Sequence, residues 1–158
     1  MQYLLRHCTI CKEIKAIQNG SSKFFIREML TGYLILYTYQ FYRGYSVFFC
    51  KKHVSELHEL PKKFRIQFLA DMSIAAESVY KAFHPKKLNY ELLGNTAPHL
   101  HWHIIPRYEN DPIPQRPIWC IDSSITCALK MKPTHNEIVT LKTKIIDSYK
   151  IITQRRAV

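Results

Sequence analysis

The spacing of apolar residues changes several times along the chain, and each change marks an element. Between residues 24 and 50, aromatic and β-branched residues come in short runs. Phe24-Phe25-Ile26 is the first, and Tyr33-Leu34-Ile35-Leu36-Tyr37 follows the break at Thr31-Gly32. Tyr45-Ser46-Val47-Phe48-Phe49-Cys50 comes after the turn at Arg43-Gly44. These runs predict two or three strands. From Pro61 the period lengthens. Phe64, Phe68, Met72, Ala75, Val79 and Phe83 recur at intervals of three and four, which predicts a helix with one apolar face, opened by Pro61 and stopped by Pro85. Leu88 to Leu93 reads as a strand, residues 94–98 as a loop, and His99 to Ile105 as a strand ended by Pro106. A second helix is expected from Asn136 to about Thr153. The class is α+β, an antiparallel sheet of about five strands with two main helices. With no internal repeat and no linker, residues 1–158 are expected to form a single domain.

Composition narrows the class of protein. At 158 residues and 47% hydrophobic the chain is long and apolar enough to bury a core, which excludes disordered and fibrous classes. Its 23 Lys and Arg against 12 Asp and Glu give a net charge of +11, which favours an anionic partner. The charge is dispersed, with no polybasic arm, so most of it reads as a solvated basic surface; a phosphate-bearing substrate is compatible with it, and a nucleic-acid partner is not expected. Five cysteines, an odd number, make a poor disulfide framework. The start of the chain, Tyr3-Leu4-Leu5 before Arg6 and His7, does not read as a signal peptide. The longest uncharged apolar run, Met29 to Tyr42, has 14 residues against the ~20 of a membrane helix. A cytoplasmic protein with reduced thiols and no membrane partner is the expectation.

The chemistry concentrates in His99-Leu100-His101-Trp102-His103-Ile104-Ile105. Successive strand residues point to opposite faces, so His99, His101 and His103 share one face while Leu100, Trp102 and Ile104 face the core. Alternation alone leaves three readings open: a catalytic cluster, a three-histidine metal site, or the polar face of an edge strand. Cys8-Thr9-Ile10-Cys11 is a CxxC pair, which by itself is compatible with redox or metal chemistry.

In its wider context the histidine segment, continued by Pro106-Arg107, resembles the signature of the histidine-triad (HIT) superfamily of nucleotide hydrolases and transferases. Gly44 to His53 resembles that family's strand ending in Pro-Lys-x-His, with Cys50 where proline usually stands. The resemblance covers a core of about residues 8–108 and leaves 109–158 as a C-terminal extension. It implies a HIT-like fold in which His101 is the nucleophile that attacks the α-phosphorus of a nucleotide and His103 assists at the phosphate. His99, the first triad member, would complete the catalytic set. Asn95 and Thr96 would donate hydrogen bonds to phosphate oxygens, the asparagine standing where glutamine is usual. The resemblance also implies one structural zinc ion per chain, held by Cys8, Cys11, His53 and His99. Cys50 is a rival ligand, read as a small buried hydrophobe. Cys120, Cys127 and His135 have no standard ligand spacing.

Two positions depart from the family pattern. Tyr37 stands sixteen residues before His53, where many members carry the acid that binds the ribose hydroxyls, and Tyr45 stands where a second histidine is common. Tyr37 and Arg107 are therefore further expected substrate contacts, the first by hydrogen bonding or stacking and the second at a phosphate. The expected activity is hydrolysis at the α-phosphate of dinucleoside polyphosphates, particularly diadenosine tetraphosphate, or of nucleoside phosphoramidates, through a covalent nucleotidyl-histidine. A phosphorylase or nucleotidyltransferase of the same superfamily is one alternative. A non-catalytic, zinc-stabilised nucleotide- or nucleic-acid-binding protein is another. The resemblance also implies a homodimer.

Overall fold

The computed structural model describes residues 7–155. Residues 1–6, with the Tyr3-Leu4-Leu5 stretch, and 156–158 lie outside them. In chain order the elements are α1 (Thr9–Gln18), β1 (Phe25–Glu28), β2 (Gly32–Leu36), β3 (Ser46–Cys50), α2 (Lys62–Phe83), β4 (Lys87–Leu93), β5 (His101–Arg107), the single turn α3 (Ser123–Thr126) and α4 (His135–Arg155). The five strands form one antiparallel sheet in the order β1-β2-β3-β5-β4. The α+β class and the two long helices agree with the hydrophobic pattern. No helix among the described residues is long and apolar enough to cross a membrane.

The central strands read as nearly continuous apolar runs because the sheet is covered on both faces. On one face lie α2 and α4. Phe48 of β3 stacks on Phe68 of α2 with ring centroids 5.2 Å apart, and Leu34, Ile104, Val79, Leu141 and Ile145 close the same core. Gly32 is required here because a Cβ would come within 2.5 Å of the Phe48 ring. On the other face, Ile10, Ile14 and Ile17 of α1 pack with Tyr33, Val47 and Phe49.

Two local features differ from the sequence pattern, and a third adds detail to it. Helix α1 was not expected; Cys8 caps it, its sulfur accepting the Cys11 N–H at 3.4 Å. Strand β5 starts at His101 rather than His99 and runs through Pro106 instead of stopping there. Its pairing with β3 ends at Ile104, so the N–H that proline lacks falls where β5 has a neighbour on one side only. Helix α2 ends at His84, which adopts a left-handed conformation at φ 48° and donates its N–H to the Tyr80 carbonyl.

Candidate functional site

Register across the sheet builds the site. His101 lies opposite Phe49 and Leu93, and His103 opposite Val47 and Glu91. Val47 is opposite Ile35 in turn. Two rows thus cross the sheet on the α1 face. They floor a cavity of about 520 Å³ bounded by α1, the 94–97 loop and Trp119. His101 and His103 line it, as do Tyr37, Asn95 and Thr96. Among the described residues, no lysine or arginine does, despite the net charge of +11.

Hydrogen bonds fix the protonation pattern of the imidazoles. His101 Nδ1 lies 2.6 Å from the His99 carbonyl, which only accepts, so Nδ1 carries the proton and Nε2 keeps its lone pair. His101 Nε2 is 3.1 Å from His103 Nε2, whose N–H therefore points at it. His103 Nδ1 then accepts from the Tyr45 hydroxyl at 2.8 Å. Burial lowers the His101 pKa, and burial together with neighbouring His101 takes that of His103 to about 4. Both rings are neutral at pH 7, as a nitrogen nucleophile and a neutral N–H donor must be. Burial also pushes the Tyr45 phenol far above its usual range, so it stays a donor. Tyr37 stacks on Tyr45 at 4.3 Å and meets His103 edge-on at 6.4 Å.

His99 faces away from this cavity. It is fully buried, and its Nε2–H donates to the Cys50 carbonyl at 2.8 Å, which turns the Nδ1 lone pair toward Cys8, Cys11 and His53. The four ligand atoms lie within 4.8 Å of one another. His99 Nδ1 is 3.6 Å from Cys8 Sγ, 3.5 Å from Cys11 Sγ and 3.2 Å from His53 Nδ1, and Cys11 Sγ is 3.3 Å from His53 Nδ1. A tetrahedron with metal–N bonds of about 2.0–2.1 Å and metal–S bonds of about 2.3 Å has edges of roughly 3.3–3.8 Å, so the four separations given lie close to those of one tetrahedral ion, and two thiols with two imidazoles are a donor set that suits it. Burial pushes the Cys11 thiol up to about 11, so it takes a bound cation to hold it as thiolate. Cys50 is buried in the core under α2, outside this cluster.

Arg107 is not at the cavity. It is 3% exposed, and its guanidinium donates to Asp111 at 2.7 Å, to Asn89 and the Arg116 carbonyl at 2.8 Å, and to the Ile113 carbonyl at 3.1 Å. Its role here is to fasten the segment after β5. The sequence reading missed the contribution of α1, whose Thr9, Ile10 and Glu13 form a wall of the cavity. Trp119, which no pattern in the sequence singles out, lies edge-on to His103 at 6.3 Å. For α1 the available signal was the spacing of Ile10, Ile14 and Ile17.

Residues 38–110 match the HIT domain. No curated protein gives a significant match in sequence. Among solved structures, a hypothetical histidine triad nucleotide-binding protein from Sulfolobus tokodaii superposes with a TM-score of 0.69 at 20% identity, covering 90% of this chain and 93% of its own. A histidine triad protein from Sinorhizobium meliloti gives 0.68 at 20% identity over 91% and 98% of the two chains. A zinc-bound histidine triad family protein from Mycobacterium smegmatis gives 0.66 at 19% identity over 96% and 99%. At these identities the superpositions speak for fold. Together with the domain match across all three histidines, they show that the chain carries a HIT domain on a histidine-triad fold.

Proposed function

We propose that the chain is a nucleotide hydrolase that cleaves at the α-phosphate of dinucleoside polyphosphates or nucleoside phosphoramidates through a nucleotidyl-His101 intermediate. The observation that carries this reading is the bond from His101 Nδ1–H to the His99 carbonyl, which leaves the Nε2 lone pair at the floor of a nucleotide-sized cavity. Nε2 attacks the α-phosphorus, a P–N bond forms, and the bond to the bridging atom breaks with its electron pair leaving on the departing group. The His103 Nε2–H stabilises that developing charge by a hydrogen bond. Asn95 and Thr96, on the cavity rim, donate to the phosphate oxygens. Water then attacks phosphorus, the P–N electron pair returns to His101, a proton goes to solvent, and a nucleoside monophosphate is released.

Cys8, Cys11, His53 and His99 would hold one zinc ion, whose contribution is structural because all four positions are filled by protein. It would tie α1 and the loop after β3 to the residue two before the nucleophile, and its thiolates fit a reducing, cytoplasmic setting. Residues 8–108 then serve as the domain core and 109–158 as an extension of the same domain, supported by the packing of α4 into the core of α2. A homodimer is supported by β4, a sheet-edge strand that exposes Tyr90, Leu92 and Leu93. Sedimentation at twice the chain mass is the expected result, and a monomer across the micromolar range would exclude it.

The activity is tested with diadenosine tri- and tetraphosphate and adenosine and guanosine phosphoramidates, with and without inorganic phosphate, for wild type and His101→Ala. Hydrolysis to nucleoside monophosphate, lost by at least about a thousandfold in His101→Ala, is expected. A nucleoside diphosphate made only with added phosphate would assign a phosphorylase instead, and turnover that survives the substitution would overturn the mechanism.

A further inference from the structure

One acid on the cavity wall is used neither by the histidines nor by the metal cluster. Glu13 follows Ile10 by three residues on α1, so the two share a helix face, and both line the cavity. Among the described residues lining that space, Glu13 alone carries a carboxylic acid. The Ser22 hydroxyl donates to its Oε1 at 2.5 Å, which fixes the group and leaves Oε2 and the second lone pair of Oε1 to accept from a ligand.

Its position along the cavity follows from the sheet. The row His103–Val47–Ile35 crosses three adjacent strands, so its ends lie roughly 10 Å apart at about 4.8 Å per strand. Helix α1 begins with its cysteines against His99, beside β5, and ends in the turn that leads through Ser22 to β1. Glu13 therefore stands toward the Ile35 end, away from the reacting imidazoles. A nucleotide whose α-phosphorus meets His101 spans that distance through its ribose and lays its base on Val47 and Ile35. At that end of an apolar floor the Thr38 hydroxyl and the Glu13 carboxylate are the groups that can read a base edge.

We propose that Glu13 is a specificity-determining residue that selects guanine over adenine, a reading that rests on the nucleotide site proposed above. A carboxylate is acceptor-only. Guanine offers N1–H and N2–H side by side, two donors matched to two acceptor lobes, and bonds to an ionised acceptor are the strong ones. Adenine offers one amine N–H beside the N1 lone pair, which repels the carboxylate. Adenine binding thus strips water from Glu13 without replacing both bonds, and an unpaired buried acceptor is what gives polar sites their discrimination.

The test measures binding of GMP, AMP and dGMP by calorimetry, beside turnover of guanosine and adenosine phosphoramidates, for wild type, Glu13→Gln and Glu13→Ile. Wild type is expected to favour guanine by on the order of tenfold or more in both Kd and kcat/KM, and the ratio is expected to approach one in both variants. A guanine preference that persists in both variants, or no preference in wild type, overturns the proposal. A GMP-over-dGMP preference lost in Glu13→Gln, without a base effect, assigns Glu13 to the ribose and overturns it too. Guanine-selective binding that depends on Glu13, with no turnover of either substrate, supports the proposal while refuting the hydrolase reading. Turnover without base preference does the reverse.

Discussion

At the scale of single residues, the arrangement of protons decides what the site can do. Three bonds in series, Tyr45 O–H to His103 Nδ1, His103 Nε2–H toward His101 Nε2, and His101 Nδ1–H to the His99 carbonyl, give one tautomer to each ring. A nucleophile needs its lone pair in the cavity and an electrophilic assistant needs its proton there, and this chain of donors meets both conditions. Tyr45 does not line the cavity and bonds to His103, so in the proposed mechanism it is a positioning residue. Replacing it with phenylalanine removes one hydroxyl and keeps the ring that stacks on Tyr37. Tyr45→Phe is expected to lower kcat about tenfold with KM within about twofold, the cost of one well-placed hydrogen bond of roughly 1.5 kcal/mol. Nitrogen NMR should then show His103 populating the Nδ1–H tautomer. An unchanged His103 tautomer with unchanged kcat would remove Tyr45 from the mechanism.

At the scale of elements, the most consequential contact is one that no local pattern announces. Arg107 ends β5 and binds Asp111 together with carbonyls of residues 113 and 116, while its guanidinium lies 5.1 Å from the centre of the Tyr42 ring. The pair is buried on both sides, with side chains 4% and 8% exposed. Removing one partner strands the other charge, so Arg107→Met is expected to cost roughly 3 kcal/mol or more in urea unfolding. Adding Asp111→Asn should recover part of that cost. Equal stability of the single and double variants would show that the ion pair itself contributes little. From sequence Arg107 was a phosphate ligand, because the arginine next to a triad is visible there and the returning 109–117 segment is not. The long helices and the strands were legible because their periods run over many residues and end at Pro61, Pro85 and Gly44. The ten-residue α1 was not, since its Ile10, Ile14 and Ile17 stripe is short and begins inside a cysteine motif that invites a different reading. The same limit applies to the site. Alternation puts His101 and His103 on one face, but only the folded chain brings Glu13 and Trp119 over them, from positions 90 residues before and 16 after His103.

At the scale of the whole molecule, the cluster of Cys8, Cys11, His53 and His99 joins three stretches that are far apart in sequence: the start of α1, the loop after β3, and the approach to β5. Helix α1 is only ten residues long, too short to be stable alone in water, and it holds its place by three isoleucines and by these cysteines. A metal ion there would close a loop of about ninety residues between Cys8 and His99, and its binding energy, at a site absent from the unfolded chain, would become folding energy. Because α1 is also a wall of the cavity, losing the ion should act on function through structure. The expected outcome is one equivalent of zinc per chain by elemental analysis, a fall in Tm of about 10 °C or more on chelation or in Cys8→Ser/Cys11→Ser, and a nucleotide affinity that weakens in parallel. Amide exchange should localise the change, with residues 9–18 losing protection while α2 and α4 keep theirs. Freshly purified protein with no metal, or a chelated protein with unchanged protection in α1, would show that the four side chains hold the helix by packing and hydrogen bonds alone.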